Sequence, residues 1–129
     1  MGYMVEACEL VDQWRLEPNF AEKVAHVVND LESELGRTVR IISGFRTNAE
    51  QDALRRSGRP AAPNNVSNHT ICPARAVDIS LGFGPTRVQK AILGRIAMMN
   101  GLRWGGGSSV DSGGIPSDWQ HLDTGPRNS

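Results

Sequence analysis

The sequence is short of the residues from which metal sites and disulfide frameworks are built. Its 129 residues include three histidines and two cysteines, and aromatic residues make up 5% of the chain. Two cysteines are too few for a disulfide framework, and three histidines leave few possible sets of imidazole ligands. The 14 basic and 14 acidic residues give a formal net charge of zero. This balance argues against general nucleic-acid and anionic-membrane binders, which need a basic excess to neutralise phosphate.

Long hydrophobic runs are also missing. No segment approaches the roughly 20 apolar residues that cross a bilayer. The first ten residues contain Glu6 and Glu9 and lack a basic start followed by an apolar stretch, so we expect no signal peptide and synthesis in the cytoplasm. Cys8 and Cys72 are then expected to be reduced and partly buried, although the sequence leaves a bridge between them open.

Glycine and proline, by contrast, are abundant. The chain has 14 glycines and 7 prolines, while its 39% hydrophobic and 22% charged residues are ordinary for a soluble globular domain. Much of the chain should therefore form loops, which is where functional residues tend to lie on a scaffold. The length predicts one domain over 1–129, with a frayed tail at 124–129.

Apolar spacing predicts three helices, over 18–35, 48–56 and 86–100. Pro18 suits a first turn and Gly36 the residue after the last, while Asn48 and Thr86 are the predicted N-caps of the other two helices, with Gln51 three residues after Asn48. The apolar stripe of the first helix consists of Phe20, Val24, Val27, Val28, Leu31 and Leu35. The stripe of the third consists of Val88, Ile92, Leu93, Ile96 and Met99.

Strands are predicted over 38–43, 74–81, 102–104 and 119–123, with loops over 58–65 and 105–117. In the second strand, Asp78 shares one face with Ala76 and Ser80, opposite the apolar residues Val77 and Ile79. The alternation of helices and strands fits a parallel α/β sheet, but the few strands and long loops fit a small α+β domain equally well. Periodicity does not decide between them.

Two of the three histidines lie near carboxylates in polar, loop-flanked segments. His69 precedes Asp78 by nine residues, and His121 follows Asp118 by three, whereas His26 lies inside the first helix. Two imidazoles and one carboxylate form the three-ligand set of a catalytic zinc ion, which leaves a position for water. His69, Asp78 and His121 can supply this set, and Asp118 can take the proton of the water. The same residue types also occur by chance in many domains.

Five short motifs follow one another in an order found in one family of zinc peptidases. They are Ser43-Gly44-Phe45-Arg46-Thr47, Ser67-Asn68-His69, Ala76-Val77-Asp78-Ile79, Trp104-Gly105-Gly106 and Asp118-Trp119-Gln120-His121. Together they resemble the zinc D-alanyl-D-alanine carboxypeptidase family, whose phage members include L-alanyl-D-glutamate endopeptidases. The wider fold group includes lysostaphin-type peptidases and the hedgehog signalling domain. The resemblance, which extends over residues 18–123, implies an α+β fold in which a small antiparallel sheet carries the zinc ligands and helices pack on one side.

The resemblance also implies roles for individual residues. It implies zinc bound by His69, Asp78 and His121. Asp118 takes the place of the catalytic acidic residue, which is Glu in many carboxypeptidases and Asp in phage endopeptidases. Arg46 matches the arginine of the Ser-Gly-Tyr-Arg motif, where a guanidinium can hold the substrate carbonyl or the oxyanion.

Two further features bear on the resemblance. Ser67 matches a serine of the family motif and could hydrogen-bond the substrate or a ligand. His69 and Asp78 are nine residues apart, whereas the family usually has them seven apart with a glycine between, and Cys72-Pro73-Ala74-Arg75 fills the interval. Cys72 could compete for zinc as a thiolate, although a packed loop thiol is the favoured interpretation.

Each of these residues also has a purely structural interpretation. Arg46 could be a surface arginine paired with Glu50, Asp118 could cap the last strand or close an Asx turn, and Ser67 could be a turn residue. Asp123 could be a hydrogen-bond partner that orients an imidazole. Trp104 and Trp119 are expected in the core rather than in a cleft wall. Gly105–Gly107 lacks the lysine and helix of a phosphate loop and is expected to edge a cleft.

The sequence therefore predicts a zinc metallopeptidase that cleaves amide bonds in the stem peptides of peptidoglycan, either as a carboxypeptidase or as an endopeptidase. We expect a monomer with these peptides as partners, no nucleic-acid or membrane partner, and action on the cell wall, as in a phage lysis or virion protein. The rival interpretation is a non-catalytic zinc-stabilised binding or structural domain of the same fold. Asp118 distinguishes the two, because a binding domain has no need of an acidic residue at that position.

Overall fold

The computed structural model describes residues 5–58 and 67–125, and these form four helices and four strands. The elements are α1 (Ala7–Trp14), α2 (Pro18–Leu35), β1 (Arg40–Ser43), α3 (Asn48–Arg56), β2 (Ala76–Ser80), α4 (Arg87–Met99), β3 (Arg103–Trp104) and β4 (His121–Asp123). The strands pair in the order β1-β2-β4-β3, and every pairing is antiparallel. The expected α+β fold is thus confirmed, and the parallel alternative is wrong. Among the described residues, no helix combines the length and apolar character that would cross a bilayer.

Helix α2 supplies the largest part of the core. The Glu17 side chain accepts hydrogen bonds from the backbone N–H groups of Asn19 and Phe20, which satisfies the first turn, and Gly36 ends the helix at φ 64°. The predicted stripe is buried apart from Leu35, which is partly buried. Each fully buried side chain of this kind contributes about 1.5–3 kcal/mol.

Strand β2 lies inside the sheet and has two chemically different faces. Val77 and Ile79 are fully buried in the hydrophobic core, as their alternation predicts, while Asp78 lies on the other face. In the antiparallel register, Asp78 pairs with His121 of β4 on one side and with Ser43 of β1 on the other. The sheet itself therefore brings two of the predicted ligands together.

Several local predictions differ from the structure. Helix α1 is not predicted by the sequence, because Glu6 makes no side-chain capping bond and no glycine follows Trp14. The N-cap of α3 is Thr47, paired with Glu50 in a capping box, so the prediction of Asn48 with Gln51 is wrong by one residue. The last strand begins at His121, because Trp119 and Gln120 belong to a turn.

Four residues are also more exposed than predicted. Val88 and Met99 are 68% and 79% exposed, because α4 buries the side that carries Leu93, Gly94, Ile96 and Ala97. Cys8 and Cys72 are unpaired, as expected, but both are exposed rather than partly buried. Most of the predicted loop 58–65 and residues 126–129 of the predicted tail lie outside the described residues.

Trp104 and Trp119 pack against the core, as predicted, and the position of the Trp104 ring requires a glycine beside it. A Cβ atom on Gly94 of α4 would lie 2.3–2.4 Å from atoms of the Trp104 ring. The Trp104 indole N–H also donates to the carbonyl of Trp119 at 2.7 Å. The ring is therefore held between α4 and the turn that leads into β4.

Replacing Gly94 by alanine is expected to lower the free energy of unfolding by about 1–3 kcal/mol, because the overpacked ring must move. This effect opposes the gain of about 1 kcal/mol that alanine brings to a helix. Thermal unfolding followed by circular dichroism measures the change. Gly107→Ala is the matched control, since its Cβ would meet no atom within 4 Å. Equal stability of the two variants would contradict the packing argument.

Candidate metal centre

His69 lies in the turn before β2, and its ring is fixed by backbone groups. Its own N–H donates to the Ser67 Oγ at 3.0 Å, which shapes the turn. Its Nδ1 lies 2.7 Å from the carbonyl oxygen of Gly44, an acceptor only, so Nδ1 carries the proton. The residue is 1% exposed, and its unprotonated Nε2 faces Asp78 and His121. An imidazole held in this way presents a lone pair to the site.

His121, the first residue of β4, is oriented in the same manner by a carboxylate. Its Nε2 lies 2.5 Å from Oδ2 of Asp123, which is itself fully buried. Arg103 of β3 holds Asp123 with two hydrogen bonds of 2.8 and 3.0 Å, and the N–H of Gly125 donates to the same side chain. The Nδ1 atom of His121 consequently faces His69 and Asp78. The predicted contact of Asp123 with an imidazole is present.

The three inward-facing ligand atoms form a nearly equilateral triangle. The Nε2 atom of His69 lies 3.2 Å from Nδ1 of His121, and these two atoms lie 3.6 and 3.5 Å from Oδ1 of Asp78. Tetrahedral zinc with bonds of 2.0–2.1 Å places neighbouring ligand atoms about 3.3 Å apart. Both the donor types and the separations of His69, Asp78 and His121 therefore fit a tetrahedral zinc ion.

Charge in the centre is arranged around Asp78. Burial opposes its ionisation, but hydrogen bonds from His121 and His69 and the charge of Arg46 outweigh burial and hold the pKa of Asp78 well below its usual range. Burial also disfavours a charged imidazole at His121, yet Asp123 and Asp78 together raise the pKa of His121 to about 9. Asp78 is thus an anion at every physiological pH, and a metal ion must compete with a proton for His121.

Asp118 lies in the same small cavity as the three predicted ligands. The cavity, about 40 Å³ in volume, exceeds the roughly 10–15 Å³ that one water molecule needs, and its lining residues are Ile42, Arg46, Leu54, His69, Asp78, Asp118, Gln120 and His121. Burial and the nearby charge of Asp78 raise the pKa of Asp118. Among the described residues, its carboxylate makes no hydrogen bond, which leaves the proton-accepting oxygens available.

Arg46 is part of this cluster rather than of the surface. Its side chain is 13% exposed and donates to Asp78, to Ser43 Oγ at 3.0 Å and to Gln51 Oε1 at 3.0 Å. The guanidinium bonds Oδ2 of Asp78, the oxygen that is not the predicted ligand atom. Ser67 is fully buried in its turn, and a role for it toward a substrate stays a prediction.

Three contacts of the centre are absent from the sequence-based prediction. The sequence predicts Gln51 as a capping residue, but its side chain is fully buried and accepts a hydrogen bond from Arg46. Arg103 pairs with Asp123 across β3 and β4, where the register of two adjacent short strands is the only signal. The Gly44 carbonyl has no side-chain signal at all. Cys72 is exposed and does not belong to the ligand cluster.

Zinc affinity is expected to rise with pH between 6.5 and 9. The folded protein raises the pKa of His121 from 6.5 to about 9, so protonated His121 stabilises the metal-free fold below pH 6.5, and this contribution is lost as the pH rises through 9. Below pH 9 the metal must displace that proton, so the apparent dissociation constant should fall by up to about tenfold per pH unit. Competition with a chromophoric chelator at pH 6.5, 7.5 and 8.5 measures the apparent dissociation constant for zinc. A flat profile, after correction for protonation of the chelator, would contradict the proton competition.

Comparison with known proteins relates this architecture to solved structures. Neither a protein-family model nor a curated protein matches the sequence. The L-Ala D-Glu endopeptidase ChiX of Serratia marcescens superposes with a TM-score of 0.58 at 18% identity, over 94% of this chain and 87% of ChiX. DacB of Streptococcus pneumoniae D39 gives a TM-score of 0.58 at 21% identity, over 84% of this chain and 65% of DacB. The chain therefore shares the α+β fold of these two proteins.

Proposed function

We propose that the protein is a zinc-dependent peptidase that hydrolyses amide bonds in the stem peptides of peptidoglycan. The observation that carries the proposal is the triangle of two imidazole nitrogens and one carboxylate oxygen, with sides of 3.2, 3.5 and 3.6 Å, in a cavity that also contains Asp118. The fold shared with an L-Ala D-Glu endopeptidase supports the choice of substrate. The proposed site of action is the cell wall, and the bond cut is of the carboxypeptidase or the endopeptidase type.

Different residues are assigned to metal binding and to proton transfer in the proposed hydrolysis. His69, Asp78 and His121 would hold zinc, which when bound acts as a Lewis acid on the scissile carbonyl and on water. Asp118 takes the proton of the attacking water and returns it to the leaving amine. Its raised pKa suits this exchange, because burial and the charge of Asp78 make the carboxylate a stronger base than an exposed aspartate.

Arg46 is the cation of the cavity. Arg46 lines the same cavity as Asp118, and Ser43 and Gln51 hold its guanidinium, so the position of this group is defined before a substrate arrives. A fixed guanidinium at this place can stabilise the oxyanion that develops when the carbonyl is attacked. Its bond to Asp78 places that positive charge directly beside the proposed ligand set.

Digestion of purified peptidoglycan tests the proposal. The zinc-loaded protein should release new amino groups, and a chelator should abolish the release. Mass spectrometry of the fragments then identifies the bond, since loss of a terminal D-alanine and cleavage after L-alanine give different products. Elemental analysis of the purified protein should find zinc. If the zinc-loaded protein releases no fragment from walls of either the lysine or the diaminopimelate type, the peptidase proposal is wrong. The remaining interpretation is then a non-catalytic binding or structural domain.

A further inference from the structure

An apolar groove lies beside the cavity and shares part of its lining. The groove has a volume of about 590 Å³, and its apolar lining residues are Trp14, Ile42, Phe45, Ala53 and Leu54. Ile42, Arg46 and Leu54 line both the groove and the cavity. A peptide whose scissile bond lies in the cavity would therefore place a neighbouring side chain in this groove.

The groove also contains one carboxylate, that of Glu50. Its Oε1 accepts the backbone N–H of Thr47 at 2.9 Å in the capping box of α3, and this hydrogen bond lowers the pKa of Glu50, so the group is ionised. Among the described residues, Oε2 of Glu50 makes no hydrogen bond. Arg46, the cation that lines the groove, donates to Asp78, Ser43 and Gln51.

These features select a side chain of a particular chemistry. The negative charge of Glu50 would repel an acidic side chain, and a side chain as small as a methyl group would leave most of the groove unfilled. A chain of several methylene groups ending in an ammonium ion fits both parts, because its stem covers apolar surface while its head pairs with a carboxylate.

We propose that this groove binds the aliphatic, ammonium-bearing side chain of the diamino-acid residue of the stem peptide, lysine or diaminopimelate. The proposal rests on the proposed function, which supplies the peptide. It adds a specificity-determining group, Glu50, that lies outside the catalytic cluster. Because the Glu50 carboxylate is solvent-exposed, the ion pair should change affinity only about two- to fivefold.

Matched peptides test the groove separately from catalysis. The probes are L-Ala-γ-D-Glu-L-Lys-D-Ala-D-Ala and the same peptide with an Nε-acetylated lysine. Their dissociation constants are measured by calorimetry on the zinc-loaded protein carrying Asp118→Asn. The lysine peptide should bind about two- to fivefold more tightly, and this preference should vanish when Glu50→Gln is added. Glutamine can still accept the Thr47 N–H, so the cap of α3 is kept. Glu22→Gln, on an exposed position of α2, is the charge-matched control and should leave the preference unchanged.

The outcomes separate the two proposals. Peptidoglycan that is digested by a protein showing no preference for the lysine peptide would overturn the groove and leave the peptidase intact. A preference that survives Glu50→Gln would likewise overturn the role of Glu50. A preference that depends on Glu50 in a protein that digests nothing would support the groove and overturn the peptidase. Failure of both peptides to bind would overturn the groove.

Discussion

Replacing Asp118 by asparagine is expected to leave zinc bound and to lower kcat by about 10²- to 10⁴-fold. Asparagine has nearly the same shape, so the cavity should keep its form, but an amide cannot accept the proton of water. The Asp118 carboxylate is not a predicted ligand. In the described part of the chain, the hydrogen bonds of this residue are made by its backbone: the N–H donates to Ser108 Oγ at 3.2 Å, and the carbonyl accepts from the N–H of His121 at 3.0 Å. Loss of the charge should therefore affect the chemical step rather than the fold.

The measurement is the rate of amine release from peptidoglycan, together with zinc content by elemental analysis. Asp12→Asn is the matched control, because Asp12 is an exposed aspartate of α1, away from the residues that line the cavity. The control should retain full activity. An Asp118→Asn protein with normal activity would remove Asp118 from the mechanism, and one without zinc would move Asp118 into the ligand set.

Replacing His121 by alanine is expected to remove most of the bound zinc. The loss should exceed the roughly 10- to 100-fold that follows when only a hydrogen-bond partner of a ligand is removed. The substitution takes away one of the three predicted ligands and also leaves the buried carboxylate of Asp123, which Arg103 holds, without its contact to the imidazole. Both effects act on the same corner of the triangle.

Zinc affinity by chelator competition measures the effect, and His26→Ala is the matched control. His26 is exposed on α2, so its removal should change neither zinc content nor activity. Because alanine leaves a cavity at the buried His121 position, His121→Gln provides a second variant that fills more of the space. Circular dichroism reports whether each variant folds. Stoichiometric zinc in a folded His121→Ala protein would contradict the ligand assignment.

The buried faces of individual helices and strands were predictable where the periodicity of apolar residues is strong. The stripe of α2 and the alternation of Val77 and Ile79 in β2 follow directly from side-chain spacing. These residues are buried as expected, except for Leu35, which is partly buried. Strand direction was not predictable, because the same spacing occurs in parallel and antiparallel sheets. Helix α1 was not predictable for a different reason: it has eight residues and no side-chain cap, and its packing against α2 is not visible in the sequence.

The predicted site residues differ in the same way. His69, Asp78 and His121 are identifiable because ligand chemistry limits them to a few residue types, and the structure brings all three together. Gln51 is not identifiable from the sequence, because a glutamine at this position is equally typical of a helix surface. Its burial results from tertiary packing. The N-cap of α3 shows the same limit. By residue type, Asn48 is as good an N-cap as Thr47, and the backbone conformation determines that Thr47 occupies the position.

The two histidines differ in what can disturb them. His69 bonds a main-chain carbonyl, that of Gly44, so no side-chain substitution can delete its acceptor, whereas His121 depends on the side chain of Asp123. Gly44 in turn packs so tightly on Trp14 that a Cβ would lie 2.6 Å from that residue, and Phe45 donates to the Trp14 carbonyl. The orientation of His121 can therefore be lost by a point mutation at Asp123. The orientation of His69 depends instead on the position of α1, against which Gly44 packs. Partial unfolding from the amino-terminal side should release a metal before the sheet itself opens.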